Sequence, residues 1–174
     1  MSRALFDKQI DRVLSHEGGY SVDRNDPGNW TGGRVGVGKL NGTKFGIAAN
    51  TYPTLDIRNL TRAQAIEIYY RDFWVASKAD RMPPAVAFSV LDGAINSGVR
   101  RSIQWLQQAA GVADDGVYGP RTAAAVSKAD GNDLLLRYNA ARLDFMTRLA
   151  NWKHHGAGWA RRIAQNLQYG AVDN

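Results

Sequence analysis

The sequence predicts a mainly α fold: one helical domain with a small β-hairpin and a glycine-rich loop. Three observations lead there. Apolar residues recur at helical spacing in several separate stretches. A length of 174 residues suits one core. Glycine crowds into one irregular region, residues 18–48, with Gly18, Gly19, Gly28, Gly32, Gly33, Gly36, Gly38, Gly42 and Gly46. So many glycines carry an entropic cost. An irregular segment that long inside a compact domain is usually functional.

The elements follow in order. Phe6, Ile10, Val13 and Leu14 mark a first amphipathic helix over residues 3–16, which Gly18 and Gly19 end. In the glycine region the alternation Val35, Val37 predicts the short hairpin. Thr61-Arg62-Ala63-Gln64 is a capping box. The helix it opens carries Ile66, Tyr69, Tyr70, Phe73 and Trp74 as a broad aromatic face. Tyr69 and Phe73 suit a core, whereas Tyr70 and Trp74 are also placed to line a groove. Pro83-Pro84 starts a third helix, apolar nearly all round and therefore central. Asp92 and Asn96 share one face of it, tying the core to a loop or facing the site. A fourth helix ends at Gly111, and Asp114 to Thr122 turn into a short fifth. Leu134 to Leu149 make a longer one, and Trp159 to Tyr169 a last one after a break at Gly156 to Gly158.

Lys+Arg 22 against Asp+Glu 16 leaves a net charge of +6, which implies an anionic partner. Basic runs are no longer than two residues, which argues against a nucleic-acid tail. Cysteine is absent, so disulfides, thiolate zinc sites and cysteine nucleophiles are excluded. Residues 1–7 show no apolar signal core, and no apolar run approaches the roughly 20 residues that span a bilayer. Synthesis in the cytoplasm without a signal peptide is expected, with no stable membrane insertion.

The chemistry centres on His16-Glu17-Gly18-Gly19-Tyr20. Glu17 falls on the last helical turn, where the helix dipole disfavours an anion and raises the carboxyl pKa. A carboxyl kept protonated near neutral pH is what a general acid needs. The plain alternative is a solvated glutamate before a glycine cap. Glycosidic hydrolysis usually also needs a second carboxylate, at about 5 Å or about 6.5–9.5 Å according to stereochemical route. Asp26, nine residues on in a Pro-Gly turn, can be folded back to that distance, and its plain role is a turn residue. Asp23 and Asp92 are rivals. His154 and His155 are adjacent and make a poor chelate, and the Asp114-Asp115 pair lacks metal-loop spacing. Gly36-Val37-Gly38 lacks the spacing of a phosphate loop, and no serine nucleophile elbow is present.

His16-Glu17-Gly18-Gly19-Tyr20, Asn25-Asp26-Pro27, Gly32-Gly33 and Lys44-Phe45-Gly46-Ile47 together resemble glycoside hydrolase family 108, N-acetylmuramidases of phages and bacteria. Tyr70-Arg71-Asp72-Phe73-Trp74 and Leu91-Asp92-Gly93-Ala94-Ile95-Asn96-Ser97-Gly98 look like that family's aromatic and central helices. Leu106-Gln107-Gln108, Gly111-Val112, Asp115-Gly116-Val117-Tyr118-Gly119-Pro120 and Thr122 resemble its accompanying predicted peptidoglycan-binding segment, and Gly158-Trp159 through Arg162 its C-terminal Gly-Trp-x-x-Arg. The pattern departs at residues 34–43, which intervene between the glycine pair and Lys44.

The resemblance implies a lysozyme-like helical domain with the hairpin and glycine loop beside the active-site cleft. It implies a catalytic lobe over residues 1–98 and a helical lobe over 99–174 with the peptidoglycan-binding-like segment, packed as one compact domain. Glu17 is then the catalytic acid, and the position of Asp26 in its turn makes it the expected second catalytic carboxylate. Tyr20, Lys44, Gly46, Tyr70, Trp74, Asp92 and Asn96 are expected to contact substrate. No metal or organic cofactor is implied. The expected partner is peptidoglycan and not nucleic acid, the expected state a monomer, and the setting a phage endolysin let out to the wall through a holin. A lytic transglycosylase and a non-catalytic wall-binding module are the rival readings.

Overall fold

The computed structural model describes residues 2–14 and 19–174. Glu17 and His16, with Ser15 and Gly18, lie outside the described residues, and so does the expected general acid. Cα packing divides the chain into two compact units. One is Asp7–Tyr70; the other joins the N-terminal residues to Phe6 with Arg71–Asn174.

Helix α1, Ser2–Leu14, matches the first predicted helix through its described part. Phe6, Ile10, Val13 and Leu14 are all buried, as their spacing requires. The glycine region holds the only sheet among the described residues. Strands β1, Thr43–Lys44, and β2, Ile47–Ala48, pair antiparallel with Lys44 opposite Ile47. The two residues between them, Phe45 and Gly46, both have positive φ, at 51° and 75°. That is the backbone of a tight hairpin turn matched to strand twist. A phenylalanine is strained there, and the Tyr69 hydroxyl donates to the Phe45 carbonyl at 2.9 Å.

The hairpin is thus real, but it is not at Val35 and Val37. Both valines are exposed in turns at the tip of a loop closed by the Trp30–Leu40 bridge. Gly33, Gly36 and Gly38 at φ 69°, 80° and 81° interleave with the valines, and strands do not hold that conformation. Residues 34–43 therefore form most of this tip.

Thr61 caps helix α2, Arg62–Tyr69, through the expected capping box. The aromatic segment does not continue as α-helix. Tyr70–Val75 is a π-helical stretch, which turns its side chains differently from the even aromatic face expected. Trp74 ends fully buried against Phe6, ring centroids 5.5 Å apart.

The rest of the second unit is a helical bundle. Helix α3, Pro84–Ser97, opens on its proline and is buried from Ala85 to Ala94, as predicted for the central helix. It packs against α4, Val99–Ala109, α6, Gly131–Thr147, and α7, Trp152–Asp173. Helix α5, Pro120–Lys128, follows the Asp114-Asp115 turn. Gly93 lets α6 approach: a Cβ there would fall on the Tyr138 hydroxyl, which bonds the Ser102 hydroxyl at 2.7 Å. Burial pushes the Tyr138 phenol pKa up, so it stays a neutral hydrogen-bonding group. The predicted break at Gly156 to Gly158 is absent. Helix α7 runs through it, because Gly156 is the hollow that receives the Trp152 ring, 2.6 Å from where a Cβ would stand.

Candidate active site

In the Asp7–Tyr70 unit the glycine region is held by a buried polar side chain, Asn29. Its Oδ1 accepts from the Asp23 amide at 3.1 Å, and its Nδ2 donates to Asp26 Oδ2 at 2.6 Å. Its carbonyl accepts from the Asn41 and Gly42 amides. Asp26 is exposed and caps the turn Pro27–Asn29, accepting the Gly28 amide on Oδ1 at 2.8 Å. Each Asp26 oxygen therefore carries a bond from its own turn. Asp23 accepts the Asn25 amide on Oδ1 alone, at 2.8 Å.

Tyr20 lies against Gly42, whose Cβ would come within 2.8 Å of the ring. The Arg58 guanidinium stands 5.8 Å from the centre of that ring. The Lys44 ammonium donates to the Arg58 carbonyl at 2.9 Å and sits 5.5 Å from the Phe45 ring. The structure thus brings Tyr20, Lys44 and Gly46 to one corner of the loop, around Arg58 and the β1–β2 turn. Tyr70 closes this unit, half-buried at the end of α2.

In the helical unit Asp92 is the centre of a buried ionic network. It is 2% exposed. Arg142 Nη1 donates to Oδ2 at 2.7 Å, Arg162 Nε to Oδ1 at 2.9 Å, and Asn166 Nδ2 to Oδ2 at 2.8 Å. Asn96, the partner expected from spacing, donates to the Asp92 carbonyl at 2.7 Å and to Oδ1 at 3.2 Å. Burial pushes the Asp92 carboxyl pKa up, but the Arg142 charge and the Arg162 and Asn166 bonds outweigh it and hold the group below the usual carboxylate value. Asp92 is thus held in its anionic form, with both carboxylate oxygens hydrogen-bonded. Trp74 is fully enclosed. Asn96 remains exposed, beside a cavity of about 190 Å³ that Arg142, Trp159 and Arg162 also line.

Sequence reasoning did not find Arg142 or the hub role of Asn29. One signal was present for Arg162: Trp159 and Arg162 are three apart on one helix, so they share a face.

The family model described as glycosyl hydrolase 108 matches residues 10–98, and that described as predicted peptidoglycan domain matches residues 101–165. No curated protein sequence matches the chain. Among solved structures, SagA of Brucella abortus is similar over 98% of this chain and 95% of its own, at 30% identity and a TM-score of 0.82. The matched span that holds the glycine loop and α3, and the fold shared with SagA nearly end to end, lead to one conclusion: the chain belongs to the glycosyl hydrolase 108 family.

Proposed function

We propose that this glycoside hydrolase cleaves the β-1,4 bond between N-acetylmuramic acid and N-acetylglucosamine in peptidoglycan. Support comes above all from one observation: a glycosyl hydrolase segment at residues 10–98 runs directly into a peptidoglycan segment at 101–165. Glu17 protonates the leaving oxygen. Asp26 orients water or steadies the positive charge that develops on the sugar. Tyr20, Lys44, Gly46, Tyr70 and Asn96 contact the glycan, while Trp74 and Asp92, both buried, stabilise the helical unit. The catalytic lobe is residues 1–98, and residues 99–174 add the wall-binding lobe. The setting is a monomeric endolysin that reaches the wall through a holin.

The local bonds on both Asp26 oxygens favour one second reading, a lytic transglycosylase, which needs the acid without a second carboxylate. Digestion of purified peptidoglycan followed by mass spectrometry separates the two. Reducing muramic ends support hydrolysis; 1,6-anhydro ends support the transglycosylase. Glu17→Gln removes only the donated proton, so it should keep the melting temperature and lower wall clearing by at least about 10²-fold. Wild-type clearing by the folded variant would remove Glu17 from the mechanism.

A further inference from the structure

The motif that the reaction leaves unused is Gly158-Trp159 through Arg162, and it lines a cavity of about 190 Å³ inside the helical unit. At about 30 Å³ per water this is room for some six waters, or one small organic group. The two halves of its wall differ in chemistry. Arg142, Arg162, Asn96 and Ser97 supply guanidinium, amide and hydroxyl groups. Met146, Leu149 and the Trp159 ring supply an apolar surface.

The polar half is built for an acceptor. Arginine carries donors and no acceptor. Arg142 is 1% exposed, and its Nε–H has no hydrogen-bond partner among the described residues. Arg162 is part-exposed, and its bonds to Asp92 fix the direction of its head. A guanidinium already fixed in place loses little entropy on meeting a planar anion. The surroundings reinforce the sign. Ser97 also lines a second, open cavity of about 330 Å³ with Arg100, Arg101 and Gln104. A ligand here meets cations on both sides of Ser97 and an aromatic plate at Trp159.

We propose that this cavity binds a free carboxylate carried by peptidoglycan, with a small apolar group of the ligand against Met146, Leu149 and Trp159. The inference rests on peptidoglycan being the substrate, and it adds a site that reads the wall's acidic appendages rather than its scissile bond. Two sources carry that chemistry: the alanine end of the stem peptide, and the lactyl group of muramic acid where its stem peptide has been removed.

The test uses ligands without a scissile glycosidic bond, so binding is read apart from cleavage. The full chain is titrated with a stem tetrapeptide ending in D-alanine, with its C-terminal amide, and with N-acetylmuramic acid. The readouts are calorimetry and the NMR signal of the Trp159 indole N–H. Ser97→Asp places a like charge between the two cavities at an exposed position, so it is expected to keep the native melting temperature. Expected are a Trp159 shift with the acid, and binding about tenfold or more weaker both for the amide and for the variant. The same pattern with N-acetylmuramic acid in place of the peptide supports the site and assigns the lactyl source. No Trp159 shift with either acid, equal binding of acid and amide, or undiminished binding by folded Ser97→Asp overturns it. Wall clearing without carboxylate binding removes this site alone. Carboxylate binding without clearing or product removes the hydrolase reading and leaves the site.

Discussion

At the scale of single residues Asp92 decides most. One carboxylate receives two arginines and two amides, and its partners Arg142 and Arg162 stand 50 and 70 positions away. Asp92→Asn leaves Arg142 buried without its counter-charge. Stability should fall by about 3–5 kcal/mol in denaturant titration. The sign with pH follows from a lowered folded-state pKa. The contribution is present above the unfolded value of about 3.9 and is lost as pH falls through the folded one. Acidification below about pH 4 should therefore lower the wild-type melting temperature more than that of Asp92→Asn. Equal slopes would show that the pair is energetically idle. The sequence told half of this. Asn96 beside Asp92 was legible because i,i+4 neighbours are a local property of any helix. Arg142 was not, because periodicity names a face and not the distant side chain that meets it. Asp26 shows the same limit: its turn was readable from Pro27-Gly28, but not that Asn29 and Gly28 would each take one of its oxygens.

At the scale of elements, glycine was the residue most easily misread. At Gly156 to Gly158 it reads as a stop signal, yet there it makes room for the Trp152 indole within a continuous helix. Among the valines it carries positive φ, and so moves the hairpin to residues 43–48. The capping box at Thr61 and the prolines at 83 and 84 were read correctly, since both act on the backbone next to them. Gly93 gives the sharpest test of the contact reading. Gly93→Ala raises helix propensity, which alone would stabilise by nearly 1 kcal/mol. Its methyl would instead meet the Tyr138 hydroxyl, so the net effect should be a loss of about 1–3 kcal/mol. A raised melting temperature would show that α3 and α6 have slack between them.

At the scale of the whole molecule, sequence segments and packing units do not coincide. The family segments part between residues 98 and 101, whereas compact packing parts at residues 6 and 70. Helix α3 ends the first segment yet packs with α4, α6 and α7 of the second. No helix among the described residues is long and apolar enough to cross a membrane. The net charge of +6 acts on the molecule as a body. If it draws the enzyme to an anionic wall, clearing should weaken as salt rises, since exposed charges are screened beyond about 8 Å at physiological ionic strength. Clearing that persists unchanged into molar salt would make the charge incidental. The Asp92 knot also sets how the protein opens. Because one carboxylate joins α3, α6 and α7, none of the three can release its amides to solvent without breaking an ion pair or amide bond to the other two. In native-state hydrogen exchange these helices should open as a single unit with one shared free energy, and Asp92→Asn should split them into separately exchanging segments.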